Sequence, residues 1–152
     1  MKYLFTLAML TFIFATQSNA QVRIGAGAVV GIDSEVMTGL NLSGTYVGEG
    51  DLDFSAEFTY WLIDKTTMAV DLNAHYLMKI MGYDDDIYIS PLGGINITRS
   101  ERFSDSNSPD LNFAINAGVS IKKEVGDRLF ILEPKILLGG NPDIVIKAGF
   151  VF

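Results

Sequence analysis

One-for-one alternation of apolar and polar side chains, recurring in eight segments along residues 22–152, constrains this chain more than any other feature. Side chains on a strand point alternately to its two faces, so each segment is a ribbon with one apolar and one polar face. The alternation predicts strands over 22–31, 36–46, 51–62, 67–78, 86–97, 111–122, 128–138 and 143–152. Clusters of Gly, Asp, Asn and Pro separate them. In the fourth, Met68, Val70, Leu72, Ala74, Tyr76 and Met78 share one face, and Thr67, Ala69, Asp71, Asn73 and His75 the other. In the sixth, Leu111, Phe113, Ile115, Ala117, Val119 and Ile121 oppose Asn112, Ala114, Asn116, Gly118, Ser120 and Lys122. Helical periodicity is nearly absent. No apolar run after Ala20 approaches the length of a membrane helix. If the chain crosses a membrane it does so as a closed barrel, because lipid offers no partner to an unpaired backbone group.

Alternation does not by itself say which face points inward. A soluble barrel of the lipocalin kind has the same period with the apolar face inside. Three features favour the inverted arrangement. The polar face is rich in Gly, Ala, Asn, Ser and Thr and poor in the Lys and Glu of a water-exposed surface. Small polar residues of this kind suit the crowded interior of an eight-stranded barrel. Aromatic residues on the apolar face gather near strand ends, as in membrane barrels. Tyr46, Phe54, Tyr76, Phe130, Phe150 and Phe152 make one girdle, and Tyr60 and Phe113, with Trp61 nearby, contribute to the other. The third feature is the last segment, Asp143 to Phe152, in which Ile144, Ile146, Ala148, Phe150 and Phe152 alternate up to an aromatic carboxyl-terminal residue. This resembles the terminal strand of bacterial outer-membrane barrels, which implies recognition by the barrel-assembly machinery through the strand ending in Phe152.

The amino-terminal end agrees. Residues 1–20 hold one cation, Lys2, then an apolar run from Tyr3 to Ala15 and a small-residue stretch ending Ser18-Asn19-Ala20. That is the layout of a secretory signal peptide, and the run is too short for a membrane anchor. Cleavage after Ala20 leaves 132 of the 152 residues as a single domain, 21–152, and removing Lys2 takes the net charge from −7 to −8. So acidic a chain is a poor nucleic-acid binder. It contains no cysteine. Disulfides, thiolate metal sites and the lipid-bearing cysteine of a lipoprotein are therefore excluded.

Taken whole, residues 21–152 resemble the small eight-stranded outer-membrane barrel proteins of the OmpX and OmpA transmembrane-domain type. The resemblance implies an all-β fold, an eight-stranded antiparallel up-and-down transmembrane β-barrel in the bacterial outer membrane, in contact with its lipid and lipopolysaccharide. It also implies a role in surface structure, adhesion or stress resistance, and it carries over no catalytic residue. Both termini then lie in the periplasm. The longest connection, Thr98 to Asp110, falls on the outer side, as expected of membrane barrels. The other outer connections, Ile32 to Glu35, Ile63 to Thr66 and Gly139 to Pro142, are short, and that disfavours adhesion. Lys79 to Asp85 makes a rather long periplasmic turn. Pro91 and Pro134 fall inside the fifth and seventh strands, where each removes a ladder hydrogen bond; bulges are expected there.

Charge on the inner face is sparse. Asp53, Glu57 and Asp71 lie on the third and fourth strands, and Glu133, Lys135 and Lys147 on the seventh and eighth. Strands three and seven lie opposite in an eight-stranded barrel, as do four and eight. Glu57 and Asp71 therefore face Lys135 and Lys147 near mid-height, and Glu57, Asp71, Glu133, Lys135 and Lys147 form a candidate lumen charge network. It is either an ion gate or a structural plug, and the plug fits so narrow an interior better. His75, the one histidine, points inward on the face of Asp71. As a general base it needs a partner serine, and no serine sits at a matching height with an obvious oxyanion arrangement. Asp84-Asp85-Asp86 lacks the calcium-loop spacing and reads as a turn. No enzyme activity, metal or cofactor is expected. Arg99 and Arg102 in the long outer connection are candidates for lipopolysaccharide phosphate. Val29, Leu77, Leu92, Ile131 and Leu137 are apolar inner positions that line a pocket for a small apolar molecule or fill the core. A non-enzymatic barrel with a plugged lumen is the first reading. A binding or transport barrel and a soluble periplasmic lipocalin-like barrel are its rivals.

Overall fold

The computed structural model describes residues 21–48, 50–63, 67–79, 87–101, 110–139 and 142–152. The expected signal peptide, the Asp84-Asp85-Asp86 turn and Arg102 lie outside the described residues. Eight strands are present: β1 (Gln21–Ile32), β2 (Val36–Val47), β3 (Leu52–Trp61), β4 (Thr67–Tyr76), β5 (Ile87–Ser100), β6 (Asp110–Val125), β7 (Arg128–Leu138) and β8 (Ile144–Val151). A two-residue extension, Met78–Lys79, continues β4 along the same neighbour, β5. Each strand pairs antiparallel with the next in sequence, and β1 pairs with β8 to close the barrel. No edge is left open, which is how an up-and-down barrel satisfies every strand.

The two faces sort as the alternation predicts. In β3, Asp53, Ser55, Glu57, Thr59 and Trp61 are buried, while Leu52, Phe54, Phe58 and Tyr60 are exposed. In β4, Asp71, Asn73 and His75 are buried between exposed Val70, Leu72 and Tyr76. The outer wall is therefore apolar and the lumen polar, the reverse of a lipocalin. The lumen is also tight. A Cβ at Gly118 would lie 2.8 Å from the Cα of Lys135 and against the carbonyl oxygen of Pro134. Only glycine lets β6 and β7 approach so closely.

Both prolines sit within strands, but neither makes a bulge. Beside Pro91 the β4–β5 ladder skips the Tyr76–Pro91 and Leu77–Ser90 positions, and pairing resumes at Met78–Ile89 in the register held by His75–Leu92. Opposite Pro134, the β6–β7 ladder skips from Gly118–Lys135 to Ile121–Leu132, again without a shift. A missing N–H removes a rung, and the sheet spans the gap without inserting a residue. β5 runs on to Ser100 and pairs it with Asp110, so Arg99 belongs to the strand and not to the loop. At the other end, Gly126, with φ of 66°, opens the two-residue turn between Val125 and Arg128, where a positive φ at the first turn position suits a hairpin.

Candidate functional site

Inward-facing side chains divide the lumen into three levels. The end that carries Phe152 and the β6–β7 turn is termed the terminal end, and the opposite one the distal end.

At mid-height the five sequence-expected charged residues come together. Lys147 Nζ lies 2.7 Å from Glu57 Oε1 and 3.1 Å from Glu133 Oε1. Lys135 Nζ lies 3.3 Å from Asp71 Oδ1, 3.5 Å from Glu57 Oε2 and 3.9 Å from Glu133 Oε1. All five are nearly fully buried. Register explains the meeting: Glu57 pairs directly with Asp71 across β3–β4, and Glu133 with Lys147 across β7–β8, so two adjacent rungs confront each other across the lumen. Three carboxylates face two ammonium groups, and asparagine amides supply further donors. Asn73 and Asn41 donate to Glu57 at 3.0 and 3.5 Å, and Asn96 and Asn116 to Asp71 at 3.0 and 2.9 Å. Charges this deep are tolerated only when paired and hydrogen-bonded.

Toward the terminal end stands a second pair, in which Asp53 was among the expected inner charges and Lys122 was not. Lys122 Nζ lies 3.3 Å from Asp53 Oδ2. Both residues were legible as inward-facing, but β6 and β3 are not paired neighbours, so nothing in the local sequence pointed to the contact. His75 Nε2 lies 2.9 Å from Ser55 Oγ, and Ser55 Oγ donates to Glu57 Oε1 at 3.3 Å. Ser55 is thus a serine within hydrogen-bonding reach of His75. Ser55 pairs with Asn73, two residues from His75 on the same face, and this diagonal relation is visible only once the β3–β4 register is known. Both side chains are buried in the lumen, away from the apolar outer wall where acyl chains would lie.

Glu57, His75 and Glu133 place three possible metal-binding atoms within 4.8 Å of one another. Two ammonium groups already stand against both carboxylates, and their charge opposes a second cation there. The cluster is therefore the salt-bridge network itself and not a metal centre.

The distal end holds an apolar cluster beside the hydrogen-bonded pair Thr67 and Ser100. Val29, Met37, Trp61, Ala114, Leu137 and Val145 form a buried cluster, joined by Ile63. Trp61 was expected near an outer girdle; it is 2% exposed and points inward, following the parity of β3. Its ring packs so close to Gly31 that a Cβ there would meet Cη2 at 2.8 Å. The apolar inner positions do not form one pocket. Val29 and Leu137 belong to this cap, whereas Leu77 and Ile131 line a cavity at the terminal end. Arg99 sits on the outer face at the distal end, exposed and paired with Met68 and Leu111.

No protein-family model matches this sequence, and no curated protein matches it. Solved structures do. The chain is similar to the N-terminal β-barrel domain of Pseudomonas aeruginosa OprF, with TM-score 0.60 and 15% identity over 88% of this chain and 100% of that one. Neisserial surface protein A gives TM-score 0.54 and 13% identity over 88% and 97% of the two chains. Ail, the attachment invasion locus protein of Yersinia pestis, gives 0.54 and 14% over 87% and 93%, and it has also been solved with the heparin analogue sucrose octasulfate. Sequence identity is low throughout, but strand number, closure and coverage agree: this chain has the fold of the small eight-stranded outer-membrane β-barrels.

Proposed function

We propose that this chain is an integral outer-membrane barrel whose lumen is plugged by its own side chains, with a structural or surface-interaction role and no enzymatic activity. The carrying observation is the pairing of an apolar outer wall with a lumen crossed at mid-height by the Glu57, Asp71, Glu133, Lys135 and Lys147 network. A water-soluble protein would expose that wall at a large cost, whereas lipid accepts it. The network fills the bore, so ions have no continuous path. On this reading residues 1–20 are the cleaved leader, the terminal end faces the periplasm, and the last strand engages the barrel-assembly machinery.

The test is heat-modifiability on an SDS gel of the outer-membrane fraction, joined to planar-bilayer conductance. A boiled-versus-unboiled shift with no steady channel supports the reading. A soluble protein with no shift sinks it.

At the distal end, Arg99 stands at the rim with Arg102 close in sequence, and guanidinium groups suit phosphate or sulfate oxygens. Ail was solved with a sulfated sugar. By the same chemistry, the surface ligand here is the anionic sugar region of lipopolysaccharide. Replacing both arginines by alanine should weaken binding to lipopolysaccharide micelles several-fold at low salt and leave folding intact. Unchanged binding would remove the assignment.

A further inference from the structure

The terminal half of the lumen combines unpartnered polar atoms with open space. A cavity of about 180 Å³ opens there, lined by Arg23, Thr45, Asp53, Tyr88, Lys122 and Ile131 among others. Asp53 uses one carboxylate oxygen on Lys122, and its other, Oδ1, has no hydrogen-bond partner although the residue is 4% exposed. Next to Asp53 across the β3–β4 ladder, His75 leaves Nδ1 unpartnered. Ser90 and Ser120 face each other across β5–β6, are wholly buried, and each has an unpartnered hydroxyl. Both serines also lie beside the ladder gaps left by the prolines: Ser90 opposite Leu77, and Ser120 opposite Glu133. Leu77 itself lines the cavity. Buried polar atoms nearly always find partners, and in a roomy polar site the partner is water.

The distal half is built in the opposite way. Its lumen is filled by the Trp61 cluster, in which Trp61 Nε1 is the one unpartnered polar side-chain atom, beside the hydrogen-bonded Thr67 and Ser100. Between the halves, His75, Ser55 and Glu57 form a hydrogen-bonded chain ending at Lys147.

We propose that the lumen is a blind, hydrated well. It opens only at the terminal end and holds ordered water, or small polar solutes of a few heavy atoms, on Asp53 Oδ1 among the lining side chains of Thr45, Tyr88 and Lys122; His75, Ser90 and Ser120 lie outside that lining. The charge network is its floor and the Trp61 cluster its seal. The cavity is roomy enough for several water molecules. The balanced charge of its lining, Lys122 with Asp53 and Arg23 with Glu124, suits neutral polar molecules better than ions of either sign. That the mouth faces the periplasm rests on the function proposed above; the well itself does not.

Because the sequence has no cysteine, single thiols report access without background. Thr45→Cys and Ile131→Cys place a thiol in the well, and Ala114→Cys and Val145→Cys place one in the seal. The folded protein in detergent micelles is treated with a trimethylammonium-ethyl methanethiosulfonate, and the adduct is followed by mass. Thr45→Cys and Ile131→Cys should react at least about tenfold faster than Ala114→Cys and Val145→Cys, and all four should react alike after boiling. Protection of both well positions would overturn the hydrated cavity. Equal rates at well and seal would overturn its one-endedness. A gel shift on boiling, recorded for each variant, reports the folded membrane barrel separately. Loss of that shift in the parent protein would count against the proposed function and not against the well. Trapped water is read independently by magnetisation transfer from water to the side-chain protons of Thr45 and Lys122, which line the cavity; absence of transfer in the folded parent would overturn the proposal as well.

Discussion

The two ends of this barrel solve the problem of a narrow lumen in opposite ways. The distal end fills it with Val29, Met37, Trp61, Ala114, Leu137 and Val145, which apart from the Trp61 indole N–H need no partners. The terminal end keeps Lys122, Asp53, His75, Ser90 and Ser120, whose polar atoms are only partly matched by protein. Between them five charged residues and four asparagines are joined by ion pairs and hydrogen bonds, although Asn73 Oδ1 and Asn116 Oδ1 accept none. The contrast teaches that burial alone does not describe a barrel interior. Val29 and Asp53 are equally hidden, at 2% and 4% exposure, yet one is held by packing and the other needs a hydrogen-bonding environment.

The largest effect should come from breaking the middle layer. In Lys147→Ala, Glu57 and Glu133 lose their closest cation while staying buried. Removing one member of a buried pair typically costs about 3–5 kcal/mol, because the other charge is left uncompensated. Urea unfolding of the refolded barrel in lipid vesicles should show a fall of that order. A midpoint within error of the parent would show that the network contributes nothing to holding the barrel.

Next comes the seal. Trp61→Ala removes the largest side chain of the distal cluster, and such truncations cost about 3 kcal/mol or somewhat more. The comparison sharpens if the same substitution is made beside Ala114→Cys. The buried thiol should then become reactive from the distal side, while conductance stays near zero because the charge network still blocks the bore. Steady conductance in Trp61→Ala would mean that the seal, and not the charge layer, closes the barrel.

Strand positions and facing were legible in the sequence because the alternation is a local property, repeated in every strand. The observed spans Leu52–Trp61 and Arg128–Leu138 coincide with expectation to within a residue at each end. The middle network was legible for a related reason. In an up-and-down barrel, strand number fixes which strands are opposite, so Glu57 and Asp71 could be set against Lys135 and Lys147 without coordinates. What the sequence could not give was height. The contacts of Lys122 with Asp53 and of Ser55 with His75 depend on the stagger between strands, a global quantity set by closure. Trp61 shows a different failure. Its bulk suggested an aromatic girdle, but its parity, shared with Asp53, Glu57 and Thr59, had already turned it inward. Pro91 and Pro134 were misread because a missing rung and an added residue disturb the strand pattern alike in sequence, whereas only the second shifts the register.

The smallest expected effect is at the terminal end. Lys122 and Asp53 are as buried by area as Lys147 and Glu57, so an argument from burial assigns the two pairs the same strength. The cavity says otherwise. Water within reach of Asp53 Oδ1 raises the local dielectric and solvates whichever charge a substitution leaves behind. A double-mutant cycle with Lys122→Met and Asp53→Asn should therefore give a coupling of about 1 kcal/mol or less. The cycle with Lys147→Met and Glu57→Gln should give a clearly larger value. The single Lys122→Met variant should cost less than Lys147→Met for the same reason. Equal couplings in the two cycles would mean that both pairs sit in the same dry interior, and the distinction between the two ends would reduce to side-chain size.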